Sequence, residues 1–309
     1  MMKYDIIGDI HGHVNDLLAL LKKMGYVQSE LGYYYHPERK AIFVGDYIDR
    51  GKHSKEVVQL VRAMQENGSA IALMGNHEYN AICFHTKGSS GDYLRPRTNQ
   101  NIKQHCATLH SFGNDAFLNE TLDWFKQLPL FYENEYFRVV HACWDAEQIE
   151  IFKQKMSGNQ LKMELLEASS TKGDDLYEAV EILLKGRELK LPGEHSFQDG
   201  DGHVRNQVRV KWWENPDGKT YLEYAVNEFK PEVAEQLNIP IPTEMQAMPP
   251  YPTSGKPVFF GHYWLSEESP KLQNQKVCCL DYSIAKKGKL VAYRYDGEKE
   301  LEEGKFCWV

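Results

Sequence analysis

The chain has 309 residues, 42% hydrophobic and 26% charged, with a formal net charge of -8. That composition is ordinary for a globular protein, and the acidic balance argues against a nucleic-acid polymer as partner, which would need a basic face. No apolar run approaches the roughly 18 residues of a membrane helix, so no membrane partner is expected.

The start, Met1-Met2-Lys3-Tyr4-Asp5, lacks the basic and apolar regions of a secretory leader, and the six cysteines form no CxxC pair. The expectation is a cytoplasmic protein with reduced thiols. Residues 4–7 read as a short strand. Val14, Leu17, Leu18, Leu21 and Met24 then fall at helical spacing. Residues 41–44 form a second strand, and Val57, Val58, Leu60, Val61 and Met64 mark a second amphipathic helix before a third strand at 70–74. This βαβαβ order predicts a parallel sheet. A polar loop over 87–101 follows, then one or two helices over 102–127 and a strand at 137–140. Helical stretches at 149–156, 160–169 and 176–184 give way to loop-rich sequence over 193–202 and a Pro-rich run over 239–257. Strand character resumes at 257–260 and 277–280 and ends at 290–295, before the Asp296-Gly297 turn. The predicted organisation is an α/β core of residues 1–141 plus 256–309, interrupted by a helical and loop-rich insertion, 142–255, that forms a cap over the active site.

Each of the first three strands runs into a short polar motif. These are Gly8-Asp9-Ile10-His11-Gly12, Gly45-Asp46-Tyr47-Ile48-Asp49-Arg50-Gly51 and Gly75-Asn76-His77-Glu78. The strand at 137–140 delivers His141, and that at 257–260 delivers Gly261-His262. Ligands of parallel sheets gather beyond the carboxyl ends of the strands, where these motifs lie. Carboxylate, amide and imidazole donors suit Mn, Fe or Zn. Asp9 and His11, two apart on a tight turn, can reach one ion, and the two oxygens of Asp46 can bridge two.

In this order the motifs resemble those of the calcineurin-like metallophosphoesterases. The Asp49-Arg50 pair resembles the phosphoprotein-phosphatase branch, which also holds bacterial and phage phosphatases and diadenosine tetraphosphate hydrolases. The resemblance covers residues 4–85, 137–141 and 257–295. It implies a four-layer α/β/β/α sandwich and two divalent metal ions, Mn first, with Fe or Zn as alternatives. The implied ligands are Asp9, His11 and Asp46 for one ion, and Asp46, Asn76, His141 and His262 for the other. It further implies attack on phosphorus by a metal-bridging hydroxide, with Arg50 and Asn76 on the phosphate, His77 protonating the leaving group and Asp49 orienting His77. Glu78 is placed behind the ligands.

The sequence departs from that pattern at several points. His141-Ala142-Cys143-Trp144 stands where His-Gly-Gly is common, and Gly261-His262-Tyr263-Trp264 where Gly-His-Thr is usual, so Tyr263 and Trp264 either line a substrate wall or pack. A Ser-Ala-Pro-Asn-Tyr segment of the eukaryotic enzymes is absent, which favours a bacterial-type enzyme. Asp281 only partly resembles a late Asp-Thr-Gly segment, being followed by Tyr282 and Ser283. Arg209 lies in a segment loosely similar to one that carries a phosphate-binding Arg. The remaining histidines, His13, His36, His53, His85, His105, His110, His195 and His203, read as surface or core, with His53 nearest a motif. Asp199-Gly200-Asp201-Gly202 reads as a turn, because it lacks the Glu of a calcium loop.

The leading functional expectation is a dinuclear metal-dependent phosphomonoesterase acting on a phosphorylated protein or a small-molecule phosphate. Hydrolysis of a dinucleoside polyphosphate is the alternative, and a non-catalytic binding protein on the same fold is a remote one.

Overall fold

Three apolar runs seed the first sheet: β1 (Lys3–Ile7), β2 (Arg39–Phe43) and β3 (Ala70–Ala72), joined by α1 (Val14–Met24) and α2 (Ser54–Glu66). The helices bury their apolar faces, Leu17, Leu20, Leu21 and Met24 on α1 and Val57, Val58, Val61 and Met64 on α2. Gly25 ends α1 in the left-handed conformation (φ 91°) that glycine adopts without a Cβ penalty. β1 pairs parallel with β2, and β2 with β3, as the βαβαβ pattern predicts. The computed structural model describes residues 3–113, 116–193, 195–198, 204–226, 229–243 and 249–309. The Asp199–Gly202 segment and His203 lie outside them.

The chain continues through α3 (Asn76–His85), α4 (Asn99–Phe112), α5 (Phe117–Phe125), β4 (Phe131–Glu133), β5 (Arg138–Val140), α6 (Ala146–Met156) and α7 (Asp175–Lys185). After the second unit described below it returns as β6 (Val258–Phe260), β7 (Val277–Cys279), β8 (Asp281–Tyr282), β9 (Lys289–Tyr295) and β10 (Phe306–Trp308). The first sheet has the order β8-β9-β1-β2-β3, with β10 also on β9, and β9 runs antiparallel to β1. The second has the order β7-β6-β5-β4, parallel except for β4.

Aromatic side chains join the two sheets. Phe137 lies 5.1 Å from Tyr4 and 4.9 Å from Tyr295 between ring centres, and Phe259 lies 5.1 Å from Tyr293. At the strand ends remote from the motifs, buried Arg39 donates from Nε to Asp5 Oδ1 (2.8 Å), from Nη1 to Asp296 Oδ1 (2.5 Å), and from Nη2 to the Tyr4 and Tyr295 carbonyls. That knot ties β1, β2 and β9 together.

The chain divides into two compact units, Met1–Lys185 with Lys256–Val309, and Gly186–Gly255. The segment read as one insertion, 142–255, is therefore split. Residues 142–185 group with the first unit, where α7 buries Leu176, Ala179, Val180, Leu183 and Leu184 and the Leu183 carbonyl accepts the Ala142 N–H. The second unit has its own core of Leu189, Leu191, Val208, Val210, Tyr221, Tyr224, Leu237 and Ile241. Its strands Glu188–Lys190 and Gln207–Arg209 pair antiparallel.

Several elements escape the sequence reading, among them β4, β8, α3 and β10. α3 carries the Gly75-Asn76-His77-Glu78 motif in its first turn; its residues are buried nearly all round, so no amphipathic period marks it. β10 follows the strand read as the last, and its three residues are too few to show alternation. All six cysteines are free, and among the described residues no helix is long and apolar enough to cross a membrane.

Candidate metal centre

The turns after β1 and β2 use backbone that side chains rarely tolerate. His11 (φ 46°), Asp46 (φ 54°), Asp49 (φ 67°) and Arg50 (φ 66°) are all left-handed. Strain of this kind concentrates at functional sites. Glycines let these segments touch: a Cβ on Gly75 would stand 2.2 Å from Asp46 Oδ1, and one on Gly261 1.9 Å from Asp9 Oδ1. Glu78 fixes the second and third motifs together, accepting the N–H groups of Asp46 (2.8 Å), Tyr47 (2.9 Å) and Gly75 (2.9 Å). Burial, reinforced by the Asp46 charge, pushes the Glu78 carboxyl up to about 7.

Asp46 is the hub. Its Oδ2 is 3.6 Å from His11 Nε2 and 4.0 Å from His77 Nε2, and its Oδ1 is 3.5 Å from His141 Nε2. Two groups of potential ligand atoms, each within 4.8 Å of one another, share it: His11, Asp46 and His77, and Asp46, His141 and His262. Burial alone would raise the Asp46 carboxyl, but the imidazoles of His141, His77 and His11 outweigh it and hold it well below the carboxylate range. Asp9 goes the other way: burial first, then Asp281 and Asp46, raise it. Its Oδ2 accepts the His262 N–H at 3.0 Å, and Asn76 Oδ1 lies 3.0 Å from His141 Nε2 and 2.8 Å from His262 Nδ1. The six sequence-predicted ligands thus converge.

The donor set fits cations. Asp9 Oδ1 and His11 Nε2 are buried with no hydrogen-bond partner among the described residues, a costly state for polar atoms that a metal ion would relieve. His11 Nδ1 is 3.0 Å from the Ile48 carbonyl, and His141 Nδ1 is 3.0 Å from that of Val44. Each Nδ1 therefore carries a proton, and each Nε2 is turned toward Asp46, the orientation of metal-ligating histidines. Burial, helped by the charges of His77 and Arg50, pushes the His11 imidazole down to about 4 against the pull of Asp46, which keeps it available as a neutral donor.

Beside this cluster, His77 Nδ1 stands 2.6 Å from Asp49 Oδ2. Burial would lower His77, but Asp46 and Asp49 raise it above the ordinary imidazole value. Asp49 is itself anchored from α4: Oδ1 accepts from His105 Nδ1 (2.9 Å) and Thr108 Oγ1 (2.5 Å), and its N–H donates to Thr108 Oγ1 (2.9 Å). His105 Nε2 faces His85 Nε2 at 3.2 Å. Burial opposes the ionisation of Asp49, yet hydrogen bonds from His105 and His77 hold its carboxyl far below the usual range.

Arg50 is exposed, its Cζ 5.2 Å from the centre of the Trp264 ring. Arg209 belongs to the second unit, where its Nε lies 3.8 Å from Glu188. His53, the histidine nearest a motif, is half-exposed beside Glu56, whereas His105 reaches Asp49 and His85 reaches His105.

A family model described as calcineurin-like phosphoesterase matches residues 2–222. The chain belongs to the calcineurin-like phosphoesterase family. That family uses a dinuclear metal site, which the two Asp46-sharing clusters fit. Among its curated relatives, the bis(5'-nucleosyl)-tetraphosphatase PrpE of Halalkalibacterium halodurans is 46% identical over 77 residues, 25% of this chain and 31% of that protein. The enzyme of the same name from Bacillus subtilis is 40% identical over 89 residues, 28% of this chain and 36% of its own. The chain thus spans about a third of the length of these relatives. Among solved structures, a protein serine/threonine phosphatase from Saccharomyces cerevisiae superposes with a TM-score of 0.50 at 15% identity, over 100% of this chain and 79% of that one. At that identity the match supports the calcineurin-like fold alone.

Sequence reasoning missed His105 and Thr108. One helical turn apart, they lie on one face of α4, but that spacing is common, and only the packing of α4 beside the second motif directs them to Asp49.

Proposed function

We propose that the protein is a metal-dependent phosphoester hydrolase with phosphomonoesters, of a protein or a small molecule, as substrates. The observation that carries this reading is the shared Asp46, central to two clusters of metal-type donors and next to the His77–Asp49 pair. Bound divalent ions, Mn first, would supply an activated water and neutralise charge on the phosphoryl group. Asp9, His11, Asp46, Asn76, His141 and His262 would hold them. The chain's own residues do the rest. Arg50, exposed at the cluster's edge, grips non-bridging phosphate oxygens through its planar fork. His77 delivers a proton from Nε2 to the leaving oxygen, with Asp49 on Nδ1 fixing the tautomer and favouring the charged imidazole. The setting is the cytoplasm of a bacterial-type cell.

A second reading, hydrolysis of a dinucleoside polyphosphate, draws on the relatives named bis(5'-nucleosyl)-tetraphosphatase, one of them 46% identical over 77 residues. The test is a Mn-supplemented comparison of p-nitrophenyl phosphate, phosphopeptides and diadenosine tetraphosphate. It is run beside His77→Ala, which should lose about 100-fold or more in kcat on esters with poor leaving groups. Metal-loaded protein that turns over none of the three would sink the hydrolase reading. Preferential turnover of the dinucleotide would put the second reading first.

A further inference from the structure

Trp264 stands where two loops of the first unit meet. Its backbone is left-handed (φ 58°), as are those of His262 (φ 74°) on its own loop and Ser283 (φ 59°) and Lys287 (φ 67°) on the other. For a bulky residue such as Trp264 this conformation is a true outlier. The buried Asp281 holds the two loops together. Its Oδ2 accepts the Trp264 N–H (2.8 Å), its Oδ1 the Ser283 N–H (3.0 Å), and its carbonyl the Leu265 N–H (2.9 Å). Ser283 Oγ closes the link by donating to the Leu265 carbonyl at 3.0 Å. The half-buried indole is thereby fixed beside the metal cluster, its ring 5.9 Å from that of His11.

Two cations stand over that ring. Arg50 Cζ is 5.2 Å and Lys286 Nζ is 4.2 Å from its centre, both within cation–π range. Both side chains are exposed, and among the described residues neither has a carboxylate within ion-pair distance. An ordinary surface lysine swings freely in water. Here one aromatic ring restrains a lysine and also carries a second unneutralised cation, and that ring adjoins a cluster built to attract phosphate. In the function proposed above a phosphoryl group rests on the cluster and Arg50, and Lys286 has no role.

We propose that Lys286, held by Trp264 and Asp281, binds a second phosphate joined by an anhydride bond to the one under attack. The site then also takes a phosphoanhydride chain, such as that of a dinucleoside polyphosphate. Lys286 and Trp264 select the substrate, and Asp281 is a positioning residue. The inference rests on the phosphoester-hydrolase reading above.

The test is calorimetric binding to the metal-loaded full chain, with metal in excess, of a methylene-bridged diadenosine tetraphosphate analogue and of orthophosphate. In Lys286→Ala the Kd of the analogue should rise about tenfold or more while that of orthophosphate moves by less than about threefold, and Lys286→Arg should restore analogue binding. An unchanged analogue Kd in Lys286→Ala, equal weakening of both ligands, or no analogue binding to the wild type would each overturn the subsite. Turnover of p-nitrophenyl phosphate and diadenosine tetraphosphate by the wild type is measured separately. Binding that follows the expected pattern without any turnover would remove the hydrolase reading and leave the subsite standing.

Discussion

Asp49 shows how much one carboxylate is asked to do at the residue scale. One oxygen meets His77 and the other is shared by His105 and Thr108, so the direction of the His77 ring is set from α4, 56 positions away in sequence. Removing His105 would free Asp49 to rotate and loosen the proton donor without touching the proposed metal ligands. His105→Ala should therefore lower kcat about tenfold on phenyl phosphate and much less on an activated ester such as 2,4-dinitrophenyl phosphate, whose leaving group needs no proton. A uniform loss on both would mean that His105 only supports the fold. The proposed ligands were legible because each closes an apolar run with Gly and a polar residue, so a few neighbouring positions identify it. His105 and Thr108 were not, because a His and a Thr one turn apart on a helix carry no local sign of what they face.

At the scale of elements, α3 and α4 meet at the His85–His105 pair. Burial, then the charges of His105 and Arg97, push His85 down to about 4. The sign follows from proton counting. Between about pH 6.5 and about pH 4 the unfolded chain protonates His85 and the folded chain does not, so folding stability falls as pH drops through that window and is intact above it. Urea titrations across the window should show wild type losing its stability advantage over His85→Gln as pH falls. A gap that stays constant with pH would show that His85 titrates normally in the folded protein. The same two helices mark where pattern reading works. α4 lies within the region read as one or two helices, with its start three residues earlier, whereas α3, buried nearly all round, offers no polar stripe to reveal its period.

For the whole molecule, the first sheet depends on the Arg39 knot. Arg39→Met would leave the fully buried Asp5 with the Arg294 contact at 3.1 Å as its remaining ion pair among the described residues, and should cost about 3 kcal/mol in equilibrium unfolding, the scale for breaking a buried ion pair from one side. A loss below about 1 kcal/mol would mean that Arg294 takes over. The α/β class and the parallel run β1-β2-β3 followed from periodicity. The division of 142–255 did not, because the apolar helical faces of 146–185 and the mixed strands after 186 both look like an insertion until one sees which core each one fills.

The contact between Asp9 and the His262 N–H spans 253 positions, and β9, from the same late stretch, lies between β8 and β1 in the first sheet. A chain emerging from the ribosome therefore carries all three N-terminal motifs long before it can assemble the centre they serve. Until residues 256–309 are made, β1 has an open edge where β9 belongs and Asp9 has no partner from the second sheet. Assembly of both donor groups thus waits for that stretch: a nascent chain stalled before it holds the signature of the site without the whole site.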